Sequence, residues 1–136
     1  MTTAKRFEDL DVWQRARELA NLVYDLTQTP AFARDKSLQD QMRRAAVSVM
    51  SSIAEGFDNR TQALFVDYLG RAKASSGELR AQLYLTNDRG YILEEDFQRA
   101  KTLAETCSRQ IAQLVRYLES QPNTHRLRED SPDYDA

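Results

Sequence analysis

Apolar residues recur along most of this chain at alternating spacings of three and four, which keeps them on one side of an α-helix. Val12, Ala16, Leu19, Val23 and Leu26 form the first such seam. Asp9 or Asp11 stands where the orphan N–H groups of a first turn need an acceptor, Pro30 closes the run, and residues 31–36 read as a connection. In the second pattern Leu38, Met42, Ala45, Val49, Ile53 and Phe57 face one way, Ser37 is the expected cap, and Asp40 takes the capping-box position. Thr61 is placed to cap a third helix with a seam of Phe65, Leu69, Ala72, Ser76, Leu79, Leu83 and Thr86. Gly90 sits where its left-handed cap belongs. A fourth seam follows Tyr91 and stops before Pro122: Leu93, Phe97, Ala100, Ala104, Cys107, Ile111, Leu114 and Leu118. Glu94, Glu95 and Asp96 suit the positive end of its dipole.

A strict three-four alternation averages 3.5 residues, the repeat of helices packed at about 20° to one another. Short connections make sequence neighbours antiparallel. The expected fold is therefore all-α. It is a single antiparallel up-down-up-down four-helix bundle over residues 1–121, followed by a polar, acidic and disordered tail over residues 122–136.

Composition fits this picture. At 136 residues the chain is one domain long, and between Pro30 and Pro122 nothing but single glycines interrupts a helix. The net charge of -2 argues against strong non-specific binding to nucleic acid. Part of that acidity is local, because Glu129, Asp130, Asp133 and Asp135 crowd the tail against Arg126 and Arg128. Without the tail the body is close to neutral and has room for a basic face. Cys107 is the only cysteine, which excludes an internal disulfide and a cysteine-based metal cluster. No apolar run approaches the ~18–20 residues of a membrane span, and none follows Met1 in the manner of a signal. A cytoplasmic protein without membrane contact is the expectation.

Catalytic and metal sites have little to build on. A di-iron bundle needs Glu-x-x-His pairs on two helices, and the only histidine, His125, lies in the tail. An RNA-cleaving arginine–histidine pair on one helix fails for the same reason. Cys107, on a seam between Ala104 and Ile111 with no histidine to activate it, reads as a small buried apolar residue. No phosphate-cradling glycine loop is present, since Gly70 and Gly77 fall inside a helix. No enzyme, cofactor or metal is expected.

What stands out is Arg43 to Phe57, RRAAVSVMSSIAEGF. Two arginines open it, small uncharged residues fill it, and Glu55-Gly56-Phe57 closes it. Val47, Met50 and Ala54 add a second apolar strip beside the seam, which points to self-association. Ser51, Glu55, Gly56 and Glu78 are candidates for the same interface or for a helix seam. The plainer reading of Glu55 and Glu78 is a half-exposed ion pair with Arg43, Arg44 or Arg80 that keeps the second and third helices in register. Arg43, Arg44, Arg71, Lys73 and Arg80, with Arg15 and Arg17, are the candidates for phosphate contacts. A scattered, solvated charge pattern is the alternative.

Three stretches resemble the signature blocks of a bacterial four-helix-bundle family, the 23S rRNA intervening-sequence proteins. They are DLDVWQRARELA (Asp9–Ala20), RRAAVSVMSSIAEGF (Arg43–Phe57) and SGELRAQLYLTNDRGYI (Ser76–Ile92). The accessory variability protein of diversity-generating retroelements is similar to that family. The resemblance implies a single antiparallel bundle, a ring-shaped homopentamer and no known catalysis. For the retroelement branch it also implies contact with a reverse transcriptase and with RNA or DNA through a basic surface. Arg43, Arg44, Ser51, Glu55 and Gly56 match the family's second block, and Glu78 and Gly90 match its third. Met50-Ser51-Ser52 replaces the family's usual Pro-Ser-Asn, which straightens the helix by restoring an N–H and removes an amide. The acidic balance also departs from the basic retroelement branch. Two functions follow: an oligomeric scaffold that binds nucleic acid or a nucleic-acid enzyme, and a purely structural protein–protein interaction module.

Overall fold

The computed structural model describes residues 4–59 and 61–122. The expected tail, with His125 and its acidic run, lies outside the described residues. Among the described residues every regular element is helical. A 3-10 turn (Phe7–Asp9) precedes α1 (Asp11–Leu26), α2 (Pro30–Ala33), α3 (Lys36–Asp58), α4 (Gln62–Asp88) and α5 (Glu94–Glu119).

The four expected helices are α1, α3, α4 and α5, and α2 is additional. The connection read over residues 31–36 contains a helical turn because Pro30 occupies a first-turn position, where its missing N–H costs nothing and its fixed φ suits the helix. α1 has already ended at Leu26, and the Thr27 N–H and hydroxyl both donate to the Val23 carbonyl, at 3.0 and 2.8 Å. Phe32 of α2 is fully buried and packs on Tyr91, 5.2 Å between ring centres.

Helix starts differ from expectation in two places. Asp9 accepts from the Lys5 and Arg6 N–H groups and closes the 3-10 turn, so α1 begins at Asp11 without a side-chain cap. For α3 the cap is Asp35, not Ser37. Its carboxylate accepts from the Leu38 N–H at 3.2 Å and from the Tyr91 hydroxyl at 3.1 Å. Asp35 thereby ties the start of α3 to the turn between α4 and α5. Thr61 caps α4 as its position suggests, accepting from the Leu64 N–H at 3.2 Å. Gly90 takes φ +70 after α4, a conformation that costs glycine nothing.

The long helices close a ring. α3 packs on α1 and α4, α5 packs on α4 and α1, and together they enclose a core in which Phe57, Phe65, Leu69, Leu79, Leu83 and Ile111 are buried. On α3 and α4 the contacts pair Gly56 with Tyr68, Ser48 with Ser75 and Met42 with Thr86. On α4 and α5 they pair Gln62 with the Leu118 carbonyl, Ser76 with Ala104 and Ser108, and Tyr84 with Phe97. In both sets one number rises as the other falls. Leu93, expected in the fourth seam, is 63% exposed, because it caps α5 from outside the first turn.

Candidate functional site

Arg43 to Phe57 forms the C-terminal two-thirds of α3, and its two apolar strips serve two neighbours. Arg43 donates through Nε to the Thr27 hydroxyl at 2.8 Å, and its guanidinium lies 4.5 Å from the Tyr24 ring centre. This marks the α1 side of α3. Met50 and Ala54 follow seven and eleven residues later on that side, half-buried against the core. Ala45, Ser52 and Gly56 are buried on the α4 side. A helix with two packing partners needs two seams, so most of the strip beside the first seam is spent inside the bundle. Val47 is the exception, 40% exposed.

Gly56 shows why a glycine stands there. A Cβ at this position would lie 2.7 Å from the Tyr68 Cβ and 3.0 Å from the Phe65 ring. α3 and α4 approach at this point more closely than any side chain allows.

The outer face of α3 carries a shallow groove of about 690 Å³. Tyr24, Asp40, Arg43, Arg44, Val47, Ser48, Ser51, Ser52 and Glu55 line it. Ser51 bonds its hydroxyl back to the Val47 carbonyl at 2.9 Å, which leaves its face smooth. Glu55 and Glu78 are both exposed. Among the described residues neither forms an ion pair with Arg43, Arg44 or Arg80, and Glu78 instead accepts from the Gln82 amide at 3.3 Å. The register-holding ion pair expected between α3 and α4 is absent. The Ser48–Ser75 hydroxyl bond of 2.8 Å stands at that seam.

The five candidate cations do not share one surface. Positions two apart on a helix are about 200° apart, so Arg71 and Lys73 look in nearly opposite directions. Arg71 lies on the Ser75 side, facing α3; it pairs with Asp67 at 3.1 Å and lies over the Tyr68 ring. Lys73 and Arg80, seven residues apart, lie on the Ser76 side, facing α5. Arg43 is occupied with Thr27 and Tyr24, and Arg44 is exposed in the α3 groove.

On the α4–α5 side the cations are joined by three that sequence reasoning missed. The contacts between these helices set residue sums near 182, as in Ser76–Ser108 and Tyr84–Phe97. That register sets Lys73 level with Arg109 and Arg80 level with Lys101, with Arg116 one further heptad along α5; the Arg109 guanidinium turns back on its own helix and donates to the Thr106 hydroxyl at 3.4 Å. Lys101 also lies 5.9 Å from the ring centre of Tyr84, which is 49% exposed. The flank of α4 facing α5 reads Gln62, Val66, Leu69, Lys73, Ser76, Arg80, Tyr84 and Asn87 and contains no acid. On the facing flank of α5 between Gln98 and Arg116 the single acid is Glu105, 3.9 Å from Lys101. Among the described residues Lys73, Arg80, Arg109 and Arg116 form no ion pair. The signal was present in the sequence, but only the helix register reveals it.

Cys107 is fully buried, and burial pushes its thiol up to about 12, with Glu18 and Asp11 adding to the rise and Arg15 opposing it. A thiol held neutral is inert. Native protein at pH 8 is expected to react with a maleimide only as fast as it unfolds, and the rate should rise sharply in urea. Rapid labelling of folded protein, followed by mass spectrometry, would contradict this burial. The sign of the linkage is also set. With the folded thiol raised above its ordinary value of 9.0, its contribution to stability is present below pH 9 and fades as pH climbs toward 12.

Among the described residues no group of three or more His, Cys, Asp or Glu is placed to hold a metal, and no helix is long and apolar enough to cross a membrane. These features define a class: an all-helical bundle whose distinctive parts are surfaces, one smooth and one basic. The family model described as 23S rRNA-intervening sequence protein matches residues 8–113, and the chain belongs to that family. A crystal structure of a protein with unknown function from the S23 ribosomal protein family of Bacteroides thetaiotaomicron VPI-5482 has the same fold. Its TM-score is 0.70 at 18% identity, covering 76% of this chain and 97% of that one. No curated protein matches the sequence.

Proposed function

We propose that this protein is a non-enzymatic, cytoplasmic scaffold that associates with copies of itself and holds nucleic acid along the α4–α5 face. The carrying observation is that Lys73 and Arg80 share the flank of α4 facing α5, with Lys101 level with Arg80 and Glu105 the single nearby carboxylate. Like charges set opposite one another repel, and an anionic polymer laid between them relieves the repulsion while releasing its own counterions. The relatives' description ties them to intervening sequences of 23S rRNA, and RNA is such a polymer. The descending contact pairs support an antiparallel up-down-up-down arrangement over residues 1–121. The smooth face around Val47, Ser51 and Glu55 supports self-association, with a homopentamer as the form the family suggests. A nucleic-acid enzyme such as a reverse transcriptase is a further partner of the same scaffold. The net charge of -2 favours a second reading, a protein–protein module with no nucleic-acid partner.

One titration separates the two readings. An oligouridine and a DNA probe are expected to bind at low salt, with affinity falling steeply as salt rises. Lys73→Ala with Arg80→Ala should flatten the log–log salt slope by about 1.4 for oligouridine and about 1.8 for duplex DNA, whereas Arg44→Ala on α3 with Arg71→Ala on the α3 side of α4 should leave it unchanged. Absence of binding at low salt leaves the protein–protein module. Light scattering that reads a monomer at micromolar concentration removes self-association.

A further inference from the structure

Among the described residues nothing covers the outer face of α4. α3 and α5 pack on its two flanks, and the row opposite its buried seam runs Gly70, Ala74, Gly77 and Ala81 without a charge. An added Cβ at Gly70 or Gly77 meets nothing within 4 Å. Small residues on an open face let another helix approach to the near end of the usual 8–10 Å range, about 8 Å. The residues beside the row say which helix fits. Along its α3 edge, at seven-residue intervals, stand Leu64, Arg71, Glu78 and Leu85. Leu64 and Leu85 are 43% and 49% exposed, and Arg71 and Glu78 are exposed between them. The order apolar, positive, negative, apolar is its own complement when reversed. We infer that a second copy of this chain packs its α4 antiparallel on this face, about a two-fold axis near Ser75.

That one axis sets Leu64 against the partner's Leu85 and Arg71 against the partner's Glu78, each contact occurring twice, as a two-fold interface requires. Gly70 meets the partner's Ala81 and Ala74 the partner's Gly77. Asp67 comes level with the partner's Tyr84, whose hydroxyl can donate to a carboxylate. A parallel pair would instead bring Leu85 beside the partner's Arg80 and Arg71 beside the partner's Val66, so the residues select the antiparallel arrangement. Within its own chain Arg71 pairs with Asp67 at 3.1 Å, and Glu78 accepts from the Gln82 amide at 3.3 Å. Both contacts run along α4 itself. A guanidinium with five donors and a carboxylate with two oxygens can take a second partner without giving up the first.

Along the other edge of the row the same axis brings Lys73 beside the partner's Arg80, again twice. These cations repel and weaken the pair. They also join two basic edges into one longer strip, so pairing extends the phosphate-binding surface. That consequence alone rests on the nucleic-acid reading. The two-fold contact lies on α4, apart from the smooth α3 face, and either association can form without the other.

The test uses the full chain with two readouts. In its own chain a side chain at Gly77 enters open space, so Gly77→Glu should keep the parent's circular dichroism. Across the axis it drives a carboxylate from each copy into a row of glycine and alanine, and light scattering at high micromolar concentration should read half the parent's mass. Second, Arg71→Glu or Glu78→Arg alone should weaken pairing about three- to tenfold by sedimentation, and the two together should restore it. Seven residues along one helix separate these side chains by about 10 Å, too far to pair within a chain, so restoration reports a contact between copies. Equal masses for parent and Gly77→Glu, or reversals that do not restore each other, overturn the α4 pair. A monomeric Gly77→Glu beside a dimeric parent upholds the α4 pair and removes association through α3. A pentameric Gly77→Glu beside a parent of twice its mass upholds both.

Discussion

Ala46→Glu is expected to unfold the protein or leave it soluble only as a poorly structured chain. Ala46 is fully buried on α3, between Met42 and Val49 on the core-facing side. A methyl group there leaves little room for a longer side chain, and a carboxylate would be buried among the apolar neighbours Met42 and Val49. Burying that charge, or protonating it to avoid the charge, costs roughly 4 kcal/mol or more, against a total stability of about 5–15 kcal/mol. Met50→Glu is expected to cost less, about 1–2 kcal/mol, because Met50 is half-buried at the α1 edge and a flexible side chain of similar length can turn its charged end to water. Glu129→Ala should leave stability unchanged. Urea midpoints compared at constant slope measure all three. An Ala46→Glu protein with the parent's midpoint would mean that this face of α3 is open to solvent.

The second large effect has opposite signs at two glycines. Gly56→Ala should destabilise by about 1–3 kcal/mol, since the new Cβ meets a rigid Tyr68 Cβ at 2.7 Å and the two helices must separate. The usual helix-propensity gain of nearly 1 kcal/mol is outweighed. At Gly70, inside the same α4 helix that Gly56 packs against, nothing lies within 4 Å of an added Cβ. There Gly70→Ala should stabilise by roughly 0.5–1 kcal/mol through propensity and a less flexible unfolded chain. Thermal midpoints moving down for one and up for the other confirm the close approach of α3 to α4. A gain at both positions would show that the helices do not touch at Gly56.

The seams were legible because burial in a helix repeats with the helix. Phe65, Leu69, Ala72, Ser76, Leu79, Leu83 and Thr86 are all buried, and Thr61 and Gly90 cap and stop α4 where their chemistry suits them. Two kinds of position misled. Pro30 reads as a stop but opens α2, since the same fixed φ serves both roles. Ser37 reads as a cap, yet Asp35 performs it, because the choice between two nearby polar residues depends on which one the Tyr91 hydroxyl also reaches. Val47, Met50 and Ala54 looked like one exposed strip, and α1 covers two of the three.

By itself the sequence determined what is local: helix periodicity, ends and stops, the absence of a membrane-spanning run, and the unusual smallness of Arg43–Phe57. Those properties depend on spacing along one helix, which a linear pattern records. Which surfaces exist was decided only in the tertiary structure, because a surface is made by residues far apart in number. Arg71 and Lys73 sit two apart in sequence and look away from each other, while Arg80 and Lys101 sit 21 apart and come level across the α4–α5 seam. The register that brings them together comes from core packing and from polar contacts such as Ser76 with Ser108. Neither helix encodes it alone.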